Sequence, residues 1–396
     1  MNRKISLGTA LAIMMIVAAI CISLTMGLSW SAFNQAVADV AERQAMYDKL
    51  DEIDQIVRQN YLFDLDEEEL QTAIAKGYIS GTGDRYAAYL TPDQSADRTT
   101  KYEGKSYGIG VSCSQYPDSE ALYVTLVHEG SPAQQAGILA GDVIVAVDGV
   151  AADEVGYSKT VELIQGDENT SCALTIARGE ETLEITAQRA EYTSTTVSAR
   201  MVDGVGLLHI YSFDNNTEEQ FKQAYYRLTE LGAEGLIIDL QNNLGGTLNS
   251  TEKILDFLLP EGNLYSTVYK DGREEEHLSD ANCVSLPMAV LVNGNSASAS
   301  ELFAGAMQDF SAAKLVGTRT YGKGVMQNTY TLKDKSSIVL TFAYFNLPKG
   351  ENYNGVGISP DVEITLSEEQ SKHFYQLSDD EDPQLQEALA QIKAES

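Results

Sequence analysis

Positive charge is scarce in this chain: 27 Lys and Arg stand against 58 Asp and Glu, a formal net charge of −31 over 396 residues. A phosphate backbone would be repelled by such a surface, which argues against nucleic acid as a partner. Acidity spread along the sequence reads instead as a solvated exterior. Cysteine is also scarce, with four residues, too few and too scattered for a disulfide scaffold. Cys21 falls in an apolar segment, and Cys113, Cys172 and Cys283 fall in strand-like runs without metal spacing, so buried free thiols are expected. Sequence leaves a Cys113–Cys172 bridge open. The four histidines, His128, His209, His277 and His373, sit in no pattern that suggests a histidine-based triad. No His, Cys or carboxylate cluster has zinc spacing, so neither a metal nor an organic cofactor is expected. There is no internal repeat and no low-complexity stretch.

What the chain does have begins with its N-terminus. Arg3 and Lys4 precede an uncharged stretch from Ile5 to Ala38 whose centre, "LAIMMIVAAICISL", is long and apolar enough for a membrane-spanning helix. Positive charge ahead of the segment predicts an N-terminus inside and the remaining chain outside. "AVA" at 36–38 lies too far beyond the apolar centre for a usual cleaved signal, and Ile20 before Cys21 makes a poor lipoprotein junction. Residues 1–38 are therefore expected to be a cytoplasmic stub and a retained signal anchor, placing a single-pass protein of bacterial type in the cell membrane with its bulk extracytoplasmic.

Beyond the anchor the pattern changes three times. Residues 39–100 read as an N-terminal helical region: Leu50, Ile53, Ile56 and Val57 fall at helical spacing, a second helix is expected near 67–79, and Gly and Pro punctuation follows. Residues 101–192 consist of short alternating runs with one helix-like segment, "SKTVELIQ", and predict a mostly-β module. Residues 193–370 alternate buried-strand runs with helical segments at 217–231, 249–258 and 299–310, which predicts an α/β core. Residues 371–396 are an acidic tail with a short helix at 383–393.

"NGNSASASELFAGAMQD", 293–309, places three serines at alternate positions where an apolar run gives way to a helix. Ser298 followed by Glu301 fits a capping box, a structural role that needs no catalysis. The setting of this stretch shifts that reading. "YLTPDQ", "YGIGV", "GSPAQQAGILAGDVIVAVDG", "DLQNNLGG", "NGNSASASE", "GTRTYGKGVMQ" and "GVGISPDVEI" occur in this order over roughly 45–366. Together they resemble the carboxy-terminal processing proteases, serine peptidases with a PDZ domain ahead of the catalytic core.

The resemblance implies a crotonase- or Clp-protease-like α/β core with an inserted PDZ domain and flanking helices. It also implies a nucleophile at Ser298, a general base at Lys323 and a third polar member at Gln327. A neutral lysine amine can take the serine proton only if burial disfavours its ammonium form, and Gln327 would orient that amine. The oxyanion donors it implies are the N–H of Ala299 and one from Gly245 or Gly246. In the PDZ module, Ile109, Gly110 and Val111 would receive a peptide carboxylate while the peptide adds as a strand, with Val161 and Ile164 in the apolar pocket. The implied function is processing or degradation of proteins from or near their C-termini, with peptide substrates bound through free C-termini. The terminal helices would support a homodimer, as in some relatives.

Three positions depart from the family pattern. Gln165 stands where arginine is frequent, Leu244 where proline is frequent, and "GVMQ" replaces a more usual small polar residue after Gly324. The rival reading is a PDZ adaptor whose protease core is inactive and only scaffolds partners.

Overall fold

The computed structural model describes residues 7–167, 169–350 and 352–395, with side chains over 7–39 described only at a few positions. The chain divides into two compact units at Gln71/Thr72.

The first unit is dominated by one long helix, Leu7–Asn60, whose last turn Arg58 ties to Asp54 and to Glu67 at 2.6 Å. The expected anchor falls largely outside the described side chains, and so does Cys21. Met14, Met15, Ile16 and Val17, which are described, are all more than half exposed. Among the described residues, no helix is long and apolar enough to cross a membrane.

In the second unit the α/β pattern becomes a six-stranded sheet. In order its strands are Val197–Val202, Val205–Ile210, Leu236–Asp239, Met288–Val292, Lys314–Gly317 and Val362–Glu363. The first pair is antiparallel and every later pair parallel. Side chains alternate between faces with a period of two, so the buried runs divide between two cores. Leu208, Ile238, Val290 and Leu315 pack with Phe221, Ile254, Leu255 and Phe303 from the helices Thr217–Glu230, Leu248–Leu258 and Ala299–Asp309, and with Phe213 from the connection ahead of the first. Leu207, Ile237, Leu291 and Val316 face the opposite way, against Leu385, Ala388, Leu389 and Ile392 of the last helix, Pro383–Glu395. The acidic tail read from sequence is thus the cover of the sheet's second face.

An antiparallel sheet carries Val325–Thr331, Ser337–Asn346, Gly262–Tyr269 and Glu274–Ser279, with Ala88–Leu90 at one edge. Ala88–Leu90 pairs with Ser337–Val339, and Ser95 Oγ lies 2.6 Å from Ser337 Oγ. The region 39–100 is therefore not helical throughout. Its last part completes the core, through this strand and the helix Pro92–Tyr102.

The mostly-β module has a core of its own around Ile109, Leu122, Val124, Ile144, Val147, Leu174 and Ile176. Its five main strands run in the order Val111–Gln115, Leu122–Val127, Val143–Val147, Ser171–Arg178, Glu181–Gln188. A ribbon of Lys105–Gly108 with Ala190–Thr193 brings its two ends together, as an insertion requires. At its exit, buried His128 accepts the Thr195 N–H at 3.0 Å, and burial pushes this imidazole down to about 4. Cys113 and Cys172 are free thiols, raised by burial to about 12 and about 11. Cys283 departs from the expectation of burial: it is exposed, in the connection between Glu274–Ser279 and Met288–Val292.

Candidate active site

Two loops leave the C-terminal ends of neighbouring parallel strands. Leu236–Asp239 leads through 240–247 into the helix Leu248–Leu258, and Met288–Val292 leads through 293–298 into Ala299–Asp309. Crevices beyond the carboxyl ends of parallel strands are where α/β folds place ligands.

Polar side chains stitch the two loops together. Asn293 Oδ1 accepts the N–H groups of Asn242 and Asn295, at 3.1 and 3.0 Å. Asn243 donates to Ile210 O at 2.7 Å, and its backbone carbonyl accepts Ala297 N at 3.0 Å. The same carbonyl accepts the Ser300 hydroxyl at 2.9 Å, while the Ser296 hydroxyl donates to Leu240 O at 2.8 Å. Ser296 and Ser300 are fully buried and spend their hydroxyls holding the turn. Ser298, between them, is partly exposed and lines a cavity.

The Ser298 backbone is at φ 59°, ψ −116°, a conformation rare for a residue with a Cβ and one that persists only when its surroundings enforce it. Strand, strained turn and helix in this order lift a serine side chain clear of the sheet. Gly245 makes the turn possible from across the cavity. A Cβ there would lie 2.7 Å from Ala297 O and 2.9 Å from Ala299 N.

The group that enforces the turn is Glu301. Its carboxylate is fully buried and receives four hydrogen bonds: Ser298 N–H at 2.9 Å, Thr320 hydroxyl at 2.6 Å, Gly322 N–H at 2.6 Å and Lys323 N–H at 2.7 Å. A buried carboxylate is tolerable only when donors replace its hydration, and here the donors come from two separate loops. One carboxylate thereby fixes the backbone of Ser298 relative to that of Lys323. Sequence offers Glu301 only as the local partner of a capping box, and nothing in its spacing signals the three donors from 320–323.

Lys323 is half-buried, its amine 4.8 Å from the centre of the Tyr86 ring. Burial holds its pKa below the ordinary lysine range, and the Arg98 charge acts in the same direction, opposed by Asp84 and Glu301. Gln327 lies at a bulge in Val325–Thr331 and donates from Nε2 to Val325 O at 3.3 Å and Thr341 Oγ1 at 3.2 Å. Its amide nitrogen is thus held in the sheet.

The Gly245 N–H donates to Asn243 Oδ1 at 2.8 Å and is already engaged. Among the described residues, no protein acceptor takes the N–H of Gly246 or of Ala299. Ser298, Lys323, Gln327, Gly245 and Gly246 line one cavity of about 400 Å³, with Tyr102, Leu244, Leu248, Val325, Met326 and Phe345 among its apolar walls. None of the four histidines lines it.

A second cavity, about 160 Å³, lies in the mostly-β module and is lined by Ile109, Gly110, Val111, Val161 and Ile164 together with Tyr107, Tyr157 and Tyr192. Val111–Gln115 is an edge strand of its sheet, so one side is open for pairing beside the helix Tyr157–Gln165. The Tyr157 hydroxyl crosses that opening to Cys113 O at 3.1 Å.

Comparison with known proteins places these features in context. The profile of peptidase family S41 matches residues 204–364, and a PDZ domain profile matches 123–178. The "Probable CtpA-like serine protease" of Staphylococcus aureus strain MSSA476 is 31% identical over 344 residues, covering 85% of this chain and 69% of the relative. Its Staphylococcus haemolyticus counterpart is 30% identical over 381 residues, with coverages of 93% and 75%. The photosystem II D1 C-terminal processing protease aligns in structure with a TM-score of 0.50 at 28% identity, covering 77% of this chain and 84% of that one. A Bacteroides fragilis chain assigned to the S41 proteases shares the fold at a TM-score of 0.60 and 17% identity, covering 87% and 97%.

Because Glu301 sets the separation of two loops, Glu301→Gln is expected to lower kcat by about 10²-fold with little change in KM, the scale of a misplaced reactive group. Steady-state kinetics beside a thermal melt check this, and an unchanged kcat would remove Glu301 from that role.

Proposed function

The chain belongs to peptidase family S41, and on that premise we propose that it is a membrane-anchored extracytoplasmic serine endopeptidase that processes proteins from or near their C-termini. The carrying observation is a partly exposed serine in a strained strand-to-helix turn that shares one cavity with a half-buried lysine.

In this reading Ser298 Oγ attacks the scissile carbonyl while the neutral Lys323 amine accepts its proton. The Gly246 and Ala299 N–H groups receive the oxyanion, aided by the N-terminal dipole of Ala299–Asp309. The Lys323 ammonium then protonates the leaving amine, and water releases the acyl group from Ser298. Gln327 steadies the amine through its free amide oxygen. The apolar stretch Ile5–Ala38 supplies the anchor, and the open edge Val111–Gln115 receives substrate C-termini by strand addition.

Incubating the full chain with an unfolded protein, beside Ser298→Ala, tests the reading: cleavage by the parent alone supports it, and no cleavage by either leaves the scaffold alternative. Ser296→Ala and Ser300→Ala are expected to retain catalysis while losing about 1–3 kcal/mol of stability each, since each removes a buried hydrogen bond. Equal loss of activity from all three folded variants would reduce Ser298 to a structural serine.

Lys323 works only as a free amine, so activity should be present above its lowered pKa and disappear as pH falls through it. The rise should come well below the ~10.4 of free lysine. Lys323→Arg, charged at any usable pH, is expected to be inactive, and substantial residual activity would take the base role from Lys323.

At the module, a peptide with a free carboxylate should bind the Ser298→Ala chain more tightly than its amide. Gly110→Val should weaken this, because Gly110 has φ 84° and a Cβ there would lie 2.2 Å from the Ser131 Cβ. Equal affinities for acid and amide, measured calorimetrically, would exclude carboxylate capture in that groove.

A further inference from the structure

The helix Pro92–Tyr102 begins with a full capping box at Thr91 and Gln94 and presents two cations, Arg98 and Lys101, to the catalytic cavity. Arg98 rests against the Tyr102 ring, its guanidinium carbon 5.1 Å from the ring centre. Its Nε is buried and has no hydrogen-bond partner. Leaving a buried charged donor unsatisfied is unfavourable. Arg98 as a whole is only partly buried and lines the cavity, so its guanidinium can engage an acceptor there.

The remaining charges of that cavity give it a sign. Lys323 is positive whenever it is protonated. Asp214, the one carboxylate in the lining, is buried and receives the Ser212 hydroxyl at 2.9 Å; burial pushes its pKa up, opposed by that hydrogen bond and by the Lys101 charge, and cationic side chains outnumber it three to one in the lining. A protein of formal net charge −31 thus presents a basic interior at the place where its reactive groups meet. Such a pocket draws carboxylates, and the guanidinium fork suits them in shape as well as in charge.

We propose that Arg98, seconded by Lys101, is a carboxylate-binding subsite of the catalytic cavity that takes the α-carboxylate of the substrate's own C-terminus, once that end has left the Val111–Gln115 groove, while the scissile bond lies at Ser298. This rests on reading Ser298 and Lys323 as a peptidase site. Pockets for small ligands span roughly 300–1,000 Å³. At about 400 Å³ this cavity has room beside Ser298 for a short tail. With the carboxylate held at Arg98, the cut lies a few residues from the substrate's end, and the released product is a short peptide that carries the carboxylate away.

The test compares one peptide sequence as the free acid and as the C-terminal carboxamide, with the full chain and its Arg98→Gln and Arg98→Lys variants. Values of kcat/KM are read at the alkaline plateau of each pH profile, so that any change in Lys323 titration is removed from the ratio. The parent is expected to favour the acid by about tenfold or more, the scale of a charge-assisted contact. Arg98→Gln should bring the ratio close to one by slowing the acid alone, and Arg98→Lys should keep part of it. Thermal midpoints confirm folding. A ratio that persists in Arg98→Gln overturns the subsite and places carboxylate recognition elsewhere, the Val111–Gln115 groove included. Equal slowing of acid and amide also overturns it, since Arg98 would then act through Lys323 or the fold. If the parent cuts neither peptide, or Ser298→Ala cuts as well as the parent, the peptidase reading itself falls and the subsite with it. Cutting without Arg98-dependent discrimination removes the subsite alone.

Discussion

One buried carboxylate organises the site. Glu301 belongs to the first turn of the helix Ala299–Asp309, yet three of its four donors come from residues 320–323. Without it, three backbone N–H groups and a hydroxyl would lie buried without partners, and the strained backbone of Ser298 would lose the bond that restrains it. The relation between Ser298 and Lys323 is thus set through main-chain hydrogen bonds. A direct ion pair between Glu301 and the lysine amine would have favoured the ammonium.

The rest of the core holds that arrangement steady. Parallel strands with residues buried on both faces fix where the two loops begin, and the asparagine and serine contacts between the loops fix how they end. The last helix acts at a distance: its Leu385, Leu389 and Ile392 close the second face of the sheet, which would otherwise expose Ile237, Leu291 and Val316 to water. At roughly 1.5–3 kcal/mol for each buried aliphatic side chain, this cover bears directly on the rigidity of the strands that carry the site.

The two cavities differ in character. The groove beside Val111–Gln115 has an open strand edge and three tyrosines around a small pocket. The cavity at Ser298 has apolar walls, a lysine with a lowered pKa and two further cations in its lining. Tyr157, whose hydroxyl spans the groove to Cys113 O, occupies a carbonyl that an added strand would need, so strand addition there exchanges one hydrogen bond for another.

Sequence by itself determined the strand and helix order of the core, the β character of the inserted module, and the residue types at Ser298, Lys323 and Gln327. These follow from local periodicity and from short motifs, which depend on neighbours along the chain. It did not disclose the hairpin Gly262–Tyr269 and Glu274–Ser279, because charged residues on its open face hide the alternation. Nor did it show that Ala88–Leu90 belongs to a sheet whose partner strand begins at Ser337, nearly 250 residues later. Only the tertiary structure decided which of three equivalent serines faces a cavity, that the Gly245 N–H is already taken by Asn243, and that Glu301 bridges two loops. Each of these depends on contacts between segments far apart in the chain, where burial turns an ordinary carboxylate, amide or guanidinium into a constraint that no local pattern records.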